Sequence, residues 1–217
     1  RSCCCFSRRG PPPPTPITPE STIMIFDWDD TVLPSSWLSS NGLRLDRGSA
    51  PTAEQKEQLK ELELAARTTF EQAMEMGEVV LVTNAQAGWI EMSCAKFFPG
   101  MVNLLSKIRI SSARTMYESS DLRSPFDWKL RAFAAELQAC VAKGCTNVVS
   151  LGDSQHEREA IMGATQGLEK VRTKSVKFVE RPNVVQLKQQ HQLLQTCLSD
   201  VINHSQGLDL CMRIPAA

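Results

Sequence analysis

No charge of either sign predominates in this chain. Its 24 lysines and arginines face 24 aspartates and glutamates, so it carries no broad basic field of the kind that holds nucleic acid. No uninterrupted apolar run approaches the ~20 residues that a membrane-spanning helix needs. The first residues hold neither a secretory apolar core nor an initiating Met, from which we expect a soluble, cytoplasmic chain excerpted from a longer one. The eight cysteines show no C-x-x-C spacing, which argues against a zinc cluster. Those in the interior sit among apolar neighbours, where a free thiol behaves as a small hydrophobe, and this favours a reducing compartment. There is no internal repeat.

Hydrophobic residues make up 42% and charged residues 22%, enough to bury a sizeable core and too much for wholesale disorder. Six of the twelve prolines lie between Pro11 and Pro19, a density that forces extended polyproline conformation. Residues 1–20 are therefore expected to be a disordered Cys/Pro-rich tail, and residues 21–217 one folded domain. The run Cys3-Cys4-Cys5 ahead of Arg8 and Arg9 has the composition of an S-acylation site, with a bare terminal tail as the simpler alternative.

Past the tail, short apolar runs alternate with amphipathic segments, the pattern of an α/β fold with a mostly parallel sheet and crossover helices. The runs are Thr22 to Phe26, Val79 to Val82, Ile108 to Ser111, Val148 to Leu151, and a weaker one near Val171 to Val179. Leu59, Leu62, Ala66, Phe70 and Ala73 recur at helical spacing and stop at Gly77, which predicts a helix covering one face of the sheet. Ser124, Pro125 and Asp127 mark the start of another as N-cap, first position and capping-box partner, and Gly144 marks its end. A third begins at Ser154 and a fourth spans Asn183 to about Asn203. Gly88 to Leu105 also reads as helix, interrupted by Pro99.

The first strand runs into Asp27-Trp28-Asp29-Asp30-Thr31. Carboxylates at the carboxyl end of a central parallel strand sit where open α/β sheets bind ligands. So much buried like charge calls for a cation, and oxygen ligands suit a hard one such as Mg2+. The bland alternative is a solvated acidic loop. Three further features bear on the choice: Thr83-Asn84 after the second run, Gly152-Asp153-Ser154 after the fourth, and Lys129 at a helix start. A lysine there opposes the helix dipole, which an anion bound nearby would explain. Ser154 to Glu157 is itself a capping box that accounts for Glu157 without any metal.

In this order the features resemble the four motifs of the haloacid dehalogenase (HAD) superfamily of phosphohydrolases. Asp27-Trp28-Asp29-Asp30-Thr31 is similar to the DxDxT first motif, Thr83 to the second, Lys129 to the third, and Gly152-Asp153 with Glu157 to the fourth, over residues 22–160. The resemblance implies a Rossmann-like three-layer α/β/α core and a Mg2+-dependent phosphatase. Asp27 would be the nucleophile that becomes an aspartyl phosphate, and Asp29 the general acid and base. Mg2+ would be held by the Asp27 carboxylate, the Asp29 carbonyl and Asp153, with Glu157 in support, and Thr83, Asn84 and Lys129 would hold the phosphoryl group. Asp29 favours phosphate esters over carbon–halogen substrates, because only the former need an acid two residues after the nucleophile. At the Glu157 position the family more often has Asp. The stretches between the motifs are too short for an inserted cap, so the resemblance implies the minimal-cap type, open to a phosphorylated substrate as large as a macromolecule.

Two other readings compete: a catalytically weak member serving as a binding or scaffold module, and a phosphoaspartate signalling receiver. The second predicts an acceptor on a middle strand and no Gly-Asp after a later one, against Asp27 and Gly152-Asp153. The loop Leu33 to Leu38 would form a flap with Trp37 near the mouth, whereas Trp28 reads as core. His156 reads as solvated, His191 and His204 as having no partner. Lys170, Arg172, Lys174, Lys177 and Arg181 read as an edge strand guarded by charge.

Overall fold

The computed structural model describes residues 16–46 and 48–214. The expected tail lies outside the described residues as far as residue 15, including the cysteine run. Order begins earlier than the proline content implies: Ile17 packs against the core, and Pro19–Ser21 form a short 3-10 turn that leads into β1.

β1 (Thr22–Phe26) is buried along its whole length and lies at the centre of the sheet. β2 (Glu78–Thr83) and β3 (Arg109–Ser112) extend the sheet on one side. β4 (Asn147–Gly152), β5 (Arg172–Lys177) and β6 (Leu208–Cys211) extend it on the other. The order is β3-β2-β1-β4-β5-β6, and every pairing is parallel. The strands run apolar because both faces are covered. Met24 and Phe26 point into one core and Ile23 and Ile25 into the other, and Val79 and Leu81 are split from Val80 and Val82 in the same way.

The helices form the outer layers of this Rossmann-like fold. α1 (Ser35–Ser40), α2 (Ala53–Met76), α3 (Trp89–Phe97) and the one-turn α4 (Val102–Leu105) follow in sequence, the last two separated by a 3-10 turn that begins at Pro99. Then come α5 (Ala113–Tyr117), α6 (Pro125–Val141), α7 (Gln155–Ala164) and α8 (Val184–Asn203). α2 and α8 pack together over one face, where Phe70 meets Phe26 with ring centroids 4.7 Å apart. α6 and α7 cover the other. α2 and α8 both begin with complete capping boxes, at Thr52/Gln55 and Asn183/Gln186. At α6 only half of the expected box forms: Ser124 accepts the Asp127 N–H, and no return bond is made.

Four readings change. The basic segment around Lys174 is an interior strand, because β6 pairs outside β5. Lys174 itself is fully buried, and its amine donates to the Ile202 carbonyl at the end of α8, 2.5 Å away. β6 gave no signal, being short and mostly exposed; Leu208-Asp209-Leu210 alternates over too few residues to reveal a half-buried strand. His191 is fully buried with Nδ1 3.1 Å from Thr69 Oγ1, and His204 Nδ1 accepts the Gln206 N–H, so both have partners. The segment after the first motif is a helix, α1, tucked in by buried Leu33 and Leu38 rather than an open loop. Among the described residues no helix is long and apolar enough to cross a membrane.

Candidate active site

The chain switches sides at the carboxyl ends of β1 and β4, the place where a doubly wound sheet opens a crevice. The Asp27 N–H donates to the Leu151 carbonyl (2.9 Å), tying the end of β1 to β4. Asp27 thus stands beside Asp153, which follows β4. Glu157 comes from the first turn of α7 and Lys129 from α6, one turn in rather than in the first turn. Carboxylate oxygens of Asp27, Asp153 and Glu157 lie within 4.8 Å of one another. Lys129 Nζ lies 2.5 Å from Asp27 Oδ1 and 2.9 Å from Glu157 Oε1, and all three of these side chains are buried. The amine that opposes the α6 dipole is therefore satisfied by carboxylates of the protein itself.

Glu157 serves two roles at once. Its Oε2 accepts the Ser154 N–H (2.9 Å) and the Ser154 hydroxyl, completing the capping box of α7, while Oε1 faces Lys129. Its place depends on Gly152: a Cβ there would meet Glu157 Cγ at 2.5 Å, so only glycine lets the side chain fold back over the strand end.

The other members of the acidic run point elsewhere. Asp29 Oδ1 accepts from Trp89 Nε1 (2.9 Å) and Oδ2 from the Thr83 hydroxyl (3.4 Å). Asp30 has φ +54°, a left-handed conformation that aspartate tolerates better than most residues. Its carboxylate takes the Ser36 N–H (2.8 Å) and the Ser35 and Ser36 hydroxyls, anchoring α1 against the motif. Thr83 Oγ1 also accepts the Ala85 N–H (2.9 Å). Asn84 Nδ2 is committed to the Pro125 carbonyl (3.2 Å) at the start of α6, while its Oδ1 is buried and unpartnered. Trp28 is core, with its indole N–H on Ser93 Oγ (3.0 Å). Trp89 and Ser93 carry no sequence signal for these contacts, since each lies some sixty residues from its partner.

Burial is the largest influence on Asp27; together with Glu157 and Asp29 it outweighs Lys129 and holds that carboxyl well above the ordinary carboxylate range. Burial disfavours the Lys129 ammonium too, but Asp27 and Glu157 more than compensate and hold its pKa above the ordinary lysine value. Glu157 ends lower than usual, because Lys129 and the Ser154 hydroxyl outweigh the burial that raises it. Asp153, without a cationic contact of its own, is pushed up to about 7 by burial, then by Glu157 and Asp30. Burial likewise raises Asp29, against the Trp89 hydrogen bond. Two carboxylates thus share one ammonium with Asp153 beside them, and the oxygens of all three form an all-oxygen donor set that fits a small hard cation.

Comparison with protein-family models, with curated proteins and with solved structures finds no match to this chain. The case for function rests on the site itself.

Proposed function

We propose that the chain is a Mg2+-dependent phosphohydrolase of the haloacid dehalogenase superfamily, acting on phosphate monoesters through an aspartyl phosphate. The observation that carries this reading is the meeting of Asp27, Asp153, Glu157 and Lys129 at the switch point of a parallel sheet. Asp27 and Asp153 are far apart in sequence, and each follows a different central strand. A solvated acidic loop would not bury Asp27 beside an ammonium.

The site residues divide the reaction among themselves. Bound Mg2+, held by Asp27, Asp153 and Glu157 with the Asp29 carbonyl, would offset the phosphoryl charge that otherwise repels an attacking carboxylate. Lys129 steadies Asp27 and lies where a phosphoryl oxygen would come, with the Thr83 hydroxyl on the facing strand end. Asp27 attacks phosphorus in line, forming the acyl phosphate as the leaving oxygen departs. Asp29, raised by burial, is suited to carry the proton that the oxygen takes. The same carboxylate then removes a proton from water as it attacks phosphorus, releasing phosphate and restoring Asp27. Asp29 must turn from Trp89 and Thr83 to do so.

Between β1 and β2 lie α1 and α2, and between β2 and α6 lie α3, α4, β3 and α5. All pack on the core, so no separate lid domain interrupts the described residues, which suits a substrate as large as a phosphorylated macromolecule. The test is hydrolysis of a generic aryl phosphate with Mg2+ and with chelator. Activity should require the metal and fall at least about 10^3-fold in Asp27→Asn. Equal turnover in Asp27→Asn would sink the nucleophile assignment; no turnover by the parent on any phosphoester, with Mg2+ still bound, would leave a binding module.

A further inference from the structure

At the end of the sheet opposite the site, α6 closes in a turn that holds two cysteines together. The Cys145 N–H donates to the Cys140 carbonyl (3.2 Å) and the Gly144 N–H to the Val141 carbonyl (2.9 Å), with Gly144 at φ +95°. This is a Schellman closure, in which the residue after the glycine packs on one three places before the helix cap. Here both packing residues are cysteines, where any pair of small hydrophobes would close the turn. The Cys145 thiol donates to the Asn147 carbonyl (3.5 Å), and the main-chain bond from Cys145 to Cys140 holds the two residues side by side at the turn, as a disulfide requires. Cys145, 2% exposed, borders a groove of about 390 Å3 together with Val141, Gly144, Gly167 and Lys170, and Cys140 is 5% exposed. A small peroxide would reach Cys145 from that groove.

We propose that Cys140 and Cys145 are a reversible redox pair, closed to a disulfide by hydroperoxides. The proposal is independent of the phosphohydrolase reading. The Cys145 thiolate attacks the outer peroxide oxygen, the O–O bond breaks, and the leaving oxygen departs protonated as water or an alcohol. Cys145 is left as a sulfenic acid. Cys140 sulfur then attacks Cys145 sulfur; the S–S bond forms, the S–O bond breaks, and hydroxide leaves with the Cys140 proton as water. Two thiols have given two electrons to one peroxide, and an external dithiol reverses the change. The division of labour agrees with the electrostatics. The neighbouring Cys140, with the Asn147 and Ile23 main chain, brings the Cys145 thiol down to about 7, whereas Cys145 and burial push Cys140 up. Cys94, on the buried face of α3, is pushed up to about 12 by burial and by Glu63, which makes it an internal control.

Lys143 lies between the two cysteines, so trypsin separates them and a disulfide appears as a linked pair of peptides. The intact protein is treated with hydrogen peroxide, its remaining thiols are alkylated, and the digest is analysed by mass spectrometry. The linked pair should form at least about tenfold faster than Cys94 is oxidised, and disappear with dithiothreitol. In Cys140→Ser, Cys145 should instead be trapped as its sulfenic acid by dimedone. Both thiols alkylated as readily as before treatment, or Cys145 oxidised without ever linking to Cys140, would overturn the proposal. Because the first readout uses the unmutated protein, it stands even if the variant fails to fold.

Discussion

Lys129 is the residue on which the candidate site balances. Its ammonium neutralises part of the charge of two buried carboxylates, Asp27 at 2.5 Å and Glu157 at 2.9 Å. Removing one partner of a buried ion pair leaves the other uncompensated, at about 3–5 kcal/mol. Lys129→Met should therefore lose about that much stability in urea titrations without Mg2+, and regain part of it when Mg2+ is added. A loss well under about 1 kcal/mol would mean that Asp27 and Glu157 are already protonated in the fold. Gly152 is a second such residue, for steric reasons. Gly152→Ala should displace Glu157, lowering both Mg2+ affinity and the melting temperature, and an unchanged affinity would show that Glu157 does not serve the metal. That Asp27, Asp153 and Lys129 would meet was legible from their residue types at strand and helix ends. The contact of Trp89 with Asp29 and the capping of α1 by Asp30 were not, because neither leaves a pattern along the chain.

Between elements, the contact of α2 with α8 carries a buried polar cluster that has no part in the site. His191 of α8 lies 3.1 Å from the Thr69 hydroxyl of α2, against the Thr31 main chain and edge-on to Phe178. Gln195 donates to the same hydroxyl (3.1 Å) and to the Ala65 carbonyl (2.7 Å). Burial, only partly offset by Thr31, brings the imidazole down to about 4 from an ordinary value of 6.5. Above the unfolded value the ring is neutral in both states and costs nothing. As pH falls from 6.5 towards 4 the unfolded chain takes up a proton that the fold refuses, so stability should drop by about 3 kcal/mol across that window. Urea midpoints measured from pH 7.5 to 4 check this, and His191→Gln should flatten the slope. The helix stripes of α2 and α8 announced themselves by their apolar spacing. That spacing does not tell a buried histidine from an exposed one, nor could the charge of β5 show that another strand would cover its edge. Lys174 and its neighbours on β5 therefore read as a charged edge strand, whereas β6 lies outside them.

At the scale of the molecule, three carboxylates brought to one point repel each other, and that repulsion is a cost the whole fold bears. A cation that binds only the folded state should relieve it, by about 2.7 kcal/mol at a hundred times its dissociation constant. The melting temperature should rise with Mg2+ and fall back with chelator, and Asp153→Asn should blunt the rise; a melting temperature indifferent to Mg2+ in the parent would count against the metal site. The sheet order also sets a timetable for assembly. β1 pairs Thr22 with Asn147 on one flank and Ile23 with Glu78 on the other, so its two neighbours are made at very different times during synthesis. Until β4 has emerged, the central strand has one open edge and Asp27 has no Asp153 beside it. Loop closure over such separations is slow, so the candidate site is assembled late, and a nascent chain is exposed to mispairing at that edge for as long as β4 is missing.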